Sequence, residues 1–138
     1  MGVEDSEWAR QRTRAIKAHA ADLERREAAD AEQARQMLLE FVEAMRAQAT
    51  PPTSLVARSF DGRHRYRTGL HGWYLRADNS IAVDEEGQFY ILSVRGSLRA
   101  LVSGATVVPS RPRLIMGEGG RDGERISLRE LLDRRIAT

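Results

Sequence analysis

Apolar residues recur every three or four positions along the first third of the chain. Ile16, Ala20, Leu23, Ala31, Ala34, Leu38, Phe41 and Met45 fall on one helical face, with a single gap at Glu27. No Gly or Pro interrupts residues 5–49, and the segment is rich in Ala, Glu, Arg, Gln and Leu, all good helix formers. Asp5 or Ser6 is placed to cap the start, with Glu7 in the first turn where the helix dipole favours negative charge. Pro51 disfavours the helical region at Thr50, so the helix is expected to end near Ala49. The pattern predicts one long amphipathic helix over residues 5–49.

The stripe is uneven. It is thin from Ile16 to Leu23, polar around Glu24, Glu27 and Asp30, and thick from Ala34 to Met45, where Met37 and Val42 widen it. An unbroken helix of this span is about 67 Å long. The chain after Pro52, folded compactly, has a radius of gyration of only about 12 Å. The helix therefore outreaches its own domain. Its first half projects, folds back near Ala28-Ala29-Asp30, or packs on another chain, while its last four turns are expected to dock on the rest of the molecule. The polar gap at Glu27 argues against a strong, long coiled coil.

After Pro52 the pattern shortens to strand-like runs. Residues 54–60 (SLVARSF) lead into the turn Asp61-Gly62, and 63–68 can pair back as a hairpin. Runs 72–76, 80–84 and 88–94 form a meander with turns at Ala77-Asp78-Asn79 and Glu85-Glu86-Gly87. Residues 98–102, 106–108 and 113–116 are expected to add short strands, kept to edges or loops by Pro109 and Pro112. Ser127-Leu128-Arg129-Glu130 has the form of a capping box. It opens a helix over about 127–136 with Ile126, Leu128, Leu131, Leu132 and Ile136 as its buried side. The predicted fold is α+β: a long N-terminal helix, then a β-rich domain over 53–138. That domain is a small, strongly bent, mostly antiparallel sheet or partial barrel with one closing C-terminal helix.

Composition narrows the class. The chain has 138 residues, 41% hydrophobic and 30% charged, which suits one small soluble domain with an extension. The absence of cysteine removes disulfides, thiolate metal sites and thiol catalysis, and fits a reducing compartment. No apolar run approaches the roughly 20 residues needed to span a bilayer. The opening MGVEDSEWAR has neither a basic nor an apolar leader region. A cytoplasmic protein with no membrane partner is expected. The pI of 9.5 arises from a net charge of only +2, because all basic residues but Lys17 are arginine. It is not in itself a nucleic-acid signal.

Residues 58–76 carry the main candidate chemistry. Arg58, Arg63, Arg65, Arg67 and Arg76 stand against Asp61 alone, with Phe60, Tyr66, Trp73 and Tyr74 interleaved. Guanidinium groups contact phosphates and aromatic rings stack on bases. In a strand, Arg63, Arg65 and Arg67 share one face, with His64 and Tyr66 on the other. Arg63, Arg65, Arg67, Trp73 and Tyr74 are thus candidate contacts to single-stranded nucleic acid or RNA. The competing reading buries the aromatic rings and leaves the arginines in water. No RNP, KH, zinc-finger or helix-turn-helix signature accompanies them. The glycine-rich run 117–123 places Asp122 where the third Gly of a dinucleotide fingerprint would stand, and no Lys-Ser/Thr follows. It reads as a loop between strand and helix. His19, His64 and His71 have no metal-ligand spacing, and Asp61 with His64 lacks a nucleophile's context. A small-ligand enzyme with its pocket near Asp61, His64 and His71 is a third possibility. No catalytic residue, cofactor or metal is assigned. The leading expectation is a non-enzymatic interaction or adaptor protein. Its helix presents Ile16, Ala20, Leu23, Ala31 and Ala34 to a protein partner or to a second copy.

Overall fold

The computed structural model describes residues 2–116 and 125–138; the glycine-rich run 117–123 lies outside the described residues. Helix α1 (Val3–Ala47) is continuous over 45 residues. It starts two residues before the expected cap, so Asp5 and Ser6 lie inside the helix and no side chain caps Gly2. Glu4 and Asp5 instead place their charge in the first turn. At the other end Ala49 adopts φ 58°. The Thr50 N–H donates to Met45 O at 2.9 Å and the Ala49 N–H to Arg46 O at 3.0 Å, the two bonds of a Schellman stop. The helix does not fold back at Ala28-Ala29-Asp30.

Five strands follow: β1 (Thr53–Ser59), β2 (Arg65–Tyr74), β3 (Ile81–Asp84), β4 (Phe89–Ile91) and β5 (Ser93–Val94). Their spatial order is β4-β3-β2-β1-β5, antiparallel except for the parallel β1–β5 pair. The two runs expected at 63–68 and 72–76 are one strand. Between them Gly69 takes φ 75°, and the register moves from Val56↔Arg67 to Ser54↔His71 across a bulge. Gly72 is needed where β2 meets β3, since a Cβ there would lie 2.0 Å from Val83 O.

The sheet is strongly bent and not closed into a barrel. Strands β4 and β5 stand at opposite ends of the order yet are separated by Leu92 alone. The Leu92 N–H donates to Ser80 O, and Leu92 O accepts from Arg58 N–H, both at 2.8 Å. The inside of the bend holds Leu55, Ala82, Tyr90 and Leu92, with Leu70, Tyr74 and Val107 against them. Tyr90 donates its hydroxyl to the buried Asp84 at 3.0 Å, and burial together with that carboxylate pushes the phenol up to about 12. The outside of the bend packs Trp73, Leu75, Ile81, Val83 and Phe89 against α1 and the C-terminal helix.

The last third departs from expectation. Residues 98–102 form helix α2 (Leu98–Ser103), not a strand. Ser97 Oγ accepts from the Ala100 N–H at 3.0 Å and Gly104 at φ 84° ends the helix, so its local chemistry is that of a capped turn. Residues 106–108 are not a strand. Within 113–116 only β6 (Ile115–Met116) is, pairing with β7 (Ile126–Ser127). Helix α3 (Leu128–Ala137) buries Leu128, Leu131 and Leu132. Ser127 caps it as expected, accepting from the Glu130 N–H at 3.1 Å. The reciprocal half of the box is replaced, because Glu130 binds Arg134 at 2.7 Å.

Candidate functional site

Two surfaces stand apart from the packed core. The first is the free half of α1. Every residue from 2 to 30 is exposed, and burial begins abruptly at Ala31. The domain's last contact on the helix is at Glu24, so residues 3–23 carry it about 32 Å further. Ile16 (61% exposed), Ala20 and Leu23 continue the docked face outward into solvent. Trp8, 63% exposed, stands nearer the tip with the Arg12 guanidinium 5.5 Å from its ring centre. Ala31 and Ala34 are a correction to the expected partner surface. Both are buried, Ala34 within the core cluster it shares with the sheet and α3, so neither lies on the exposed surface.

The polar break at Glu27 has a structural cause. The segment around Arg111 and Arg113 crosses the helix there, and Arg111 pairs with Glu24 at 3.1 Å. Glu27, Asp30, Arg111 and Arg113 line one cleft. The break in the stripe marks the edge of the domain.

The second surface is the end of the sheet formed by the β1–β2 hairpin and α2. The turn is built by Ser59 and Asp61. Ser59 Oγ donates to Asp61 Oδ1 at 2.6 Å and accepts from the His64 N–H at 3.1 Å, while the Arg63 N–H donates to the same carboxylate oxygen at 2.9 Å. The Ser59 hydroxyl, then the Arg63 amide, hold the Asp61 carboxyl below its usual range. The serine proton is thus directed to a carboxylate, not to an imidazole, and His71 lies on a different part of β2. Asp61 and His64 do line a cleft of about 420 Å³, with Phe60, Leu98 and Leu101 as its apolar walls. Among the described residues no cluster of three His, Asp or Glu is placed to hold a metal ion.

The expected nucleic-acid residues separate. Trp73 is buried and donates its indole N–H to Thr50 O at 3.1 Å, so it has no free ring face. Tyr74 is half-buried, and its hydroxyl accepts from the Val56 N–H at 2.9 Å. Both leave the candidate interface. Arg63 lies in the turn rather than in β2. Arg65 and Arg67 are exposed on one face of β2, and Arg58 stands directly opposite Arg65 on β1. The arginine row is therefore Arg58, Arg65 and Arg67, with Tyr66 buried on the other face. Among the described residues these three form no salt bridge.

Phe60, expected only as one of the interleaved aromatics, and Leu98, Leu101 and Val102, expected in a strand, are exposed apolar residues. Their signal was present: 98, 101 and 102 have helical spacing behind a Ser cap and ahead of a Gly stop. Trp8 was passed over because it lies off the Ile16–Leu23 line. The chain matches no family model, and neither a curated protein nor a solved structure matches it. Among the described residues no helix is long and apolar enough to cross a membrane.

Proposed function

We propose that this chain is a non-enzymatic interaction protein whose projecting half-helix presents Ile16, Ala20 and Leu23 to a partner helix. The observation that carries this reading is that no residue from 2 to 30 is buried, on an unbroken helix that includes Trp8, Ile16 and Leu23. Solubility alone would be served by polar residues at these positions. A seam with 3-4-3 spacing over Thr13, Ile16, Ala20 and Leu23 fits a second helix packed at a shallow angle. The test is nuclease-treated affinity capture with wild type and with the double variant Ile16→Arg, Leu23→Arg. The double variant should melt as wild type does and lose the partner. Identical capture by both would remove the seam from the reading.

The arginine row favours a second reading, binding of a polyanion such as single-stranded nucleic acid. Directly opposed like charges at Arg58 and Arg65 destabilise a hairpin unless an anion neutralises them. Without Trp73 and Tyr74, that binding would run through phosphates rather than stacked bases. Changing Arg58, Arg65 and Arg67 to Gln should flatten the slope of log K against log salt by about 2–3 units. The absence of salt-sensitive binding by wild type would discard it.

A further inference from the structure

We propose that the α2 end of the molecule is a docking site for the N-terminal tip of α1 from a second copy of the chain. The inference rests on reading α1 as an interaction arm. Helix α2 buries none of its residues. Leu98, Leu101 and Val102 lie at i, i+3 and i+4, so they form one face, and Leu98 is 83% exposed. Phe60, 72% exposed at the hairpin turn, forms the opposite wall of the cleft. A connected set of exposed large apolar side chains of this kind marks a contact surface.

Its charge selects the partner. Residues 87–116 contain no Asp or Glu, and the hairpin has only Asp61, already engaged by Ser59 and the Arg63 amide. Arg63 beside the turn, Arg95 before α2 and Arg99 within it form no salt bridge among the described residues. Arg95 and Arg99 line the adjoining groove, which shares Ser97 with the apolar cleft, and Arg63 flanks the cleft residue His64 in sequence. An apolar cleft next to such a basic groove fits an amphipathic segment that is both apolar and acidic.

The tip of α1 has that composition. Val3, Glu4, Glu7 and Trp8 lie on one side of the helix, and no basic residue occurs between Val3 and Trp8. Val3 and Trp8 are largely exposed, with the Arg12 guanidinium over the Trp8 ring. The tip cannot reach the cleft of its own molecule, because the continuous helix carries it about 32 Å past the domain's last contact at Glu24. Docking is therefore between copies, tip of one on α2 of the next. Such a contact is heterologous and leaves a free tip and a free cleft at the ends of any assembly.

Sedimentation velocity on full-length chains tests this directly. Wild type should grow past the dimer as concentration rises, and added salt should reverse the growth. A tip variant (Trp8→Ala, Glu4→Arg, Glu7→Arg) and a cleft variant (Leu98→Ser, Leu101→Ser, Arg99→Glu) should each be monomeric with unchanged melting, since every altered side chain is exposed. Mixed, they should form a 1:1 complex that grows no further, because one supplies the intact cleft and the other the intact tip. The seam variant Ile16→Arg, Leu23→Arg should assemble as wild type does. A monomeric wild type at high micromolar concentration, or a mixture that stays monomeric, would overturn the docking and leave the seam to its own test. Assembly lost only in the seam variant would overturn it in favour of the seam. Binding to anionic phosphatidylserine vesicles without self-assembly would instead assign the cleft to a lipid surface, and would equally overturn the docking.

Discussion

The two halves of α1 have the same secondary structure and opposite environments. From Ala31 to Met45 the helix buries seven side chains against the sheet and α3; from 3 to 30 it buries none. Helix propensity is high throughout, so it does not separate them. What separates them is the width of the apolar stripe. The docked half adds Met37 and Val42 to the central line, broad enough to cover Trp73, Val83 and Phe89. The free half has one large apolar residue every two turns on that line, which leaves room for a narrow partner but covers no core. Next to the boundary, on the free side, the exposed Glu24–Arg111 pair still ties the helix to the domain.

The largest effects should fall on the docked half and its anchor. Trp73 is buried between α1 and the sheet and bonded to the loop that follows the helix. Trp73→Ala should cost about 3–5 kcal/mol in chemical denaturation. Leu38→Ala or Phe41→Ala should cost about 2–5 kcal/mol, since both positions are enclosed. A loss at Leu38 no larger than at Leu23 would mean that the two halves do not differ in docking, and would break the comparison.

A smaller effect, of opposite sign, is expected at the end of the docked half. Ala49 holds a left-handed conformation that an L residue with a Cβ adopts at a cost of about 1 kcal/mol or more. Glycine relieves that strain but adds freedom to the unfolded chain. Ala49→Gly should therefore stabilise by about 0.5–1 kcal/mol, read as a raised denaturation midpoint with an unchanged slope. Destabilisation would show that the helix stop is held by contacts rather than by its two Schellman bonds.

The same contrast explains what the sequence made legible. The long helix, its docked end, the hairpin turn at Asp61-Gly62 and the Ser127 cap all rest on local chemistry that a single chain displays. The strong bend followed from many short strands with close turns. Three features escaped because they are decided by distant partners or by competing local signals. The joining of 63–68 and 72–76 into β2 depends on a bulge at Gly69, which the sequence shows only as an isolated Gly. The Leu98–Val102 run has strand-like composition, and the Ser97 cap outweighs it. The separation of Trp73 and Tyr74 from the arginines depends on which face of the sheet α1 covers. On the candidate site, charge was legible as a cluster, but its division into an arginine row and an apolar cleft was not. Ala31 and Ala34 could be placed on the stripe from sequence, though not on the buried side of the domain boundary.

The smallest expected effect is the most discriminating one. Leu23 is 47% exposed and makes no part of either core cluster. Leu23→Ala removes little buried area and substitutes a better helix former, so the two small contributions oppose each other. Stability of the isolated chain should change by no more than about 0.5 kcal/mol. If Leu23 serves a partner helix, the same substitution should weaken that association about tenfold or more, equivalent to roughly 1.4 kcal/mol. The pair of measurements, melting of the chain alone and affinity for the partner, separates a residue kept for contact from one that is merely tolerated in water. A loss of several kcal/mol in the isolated chain would place Leu23 in the fold and extend the docked half past Glu27. No change in either measurement would leave the free half as a solvated helix and return the interaction surface to the tip and the α2 cleft.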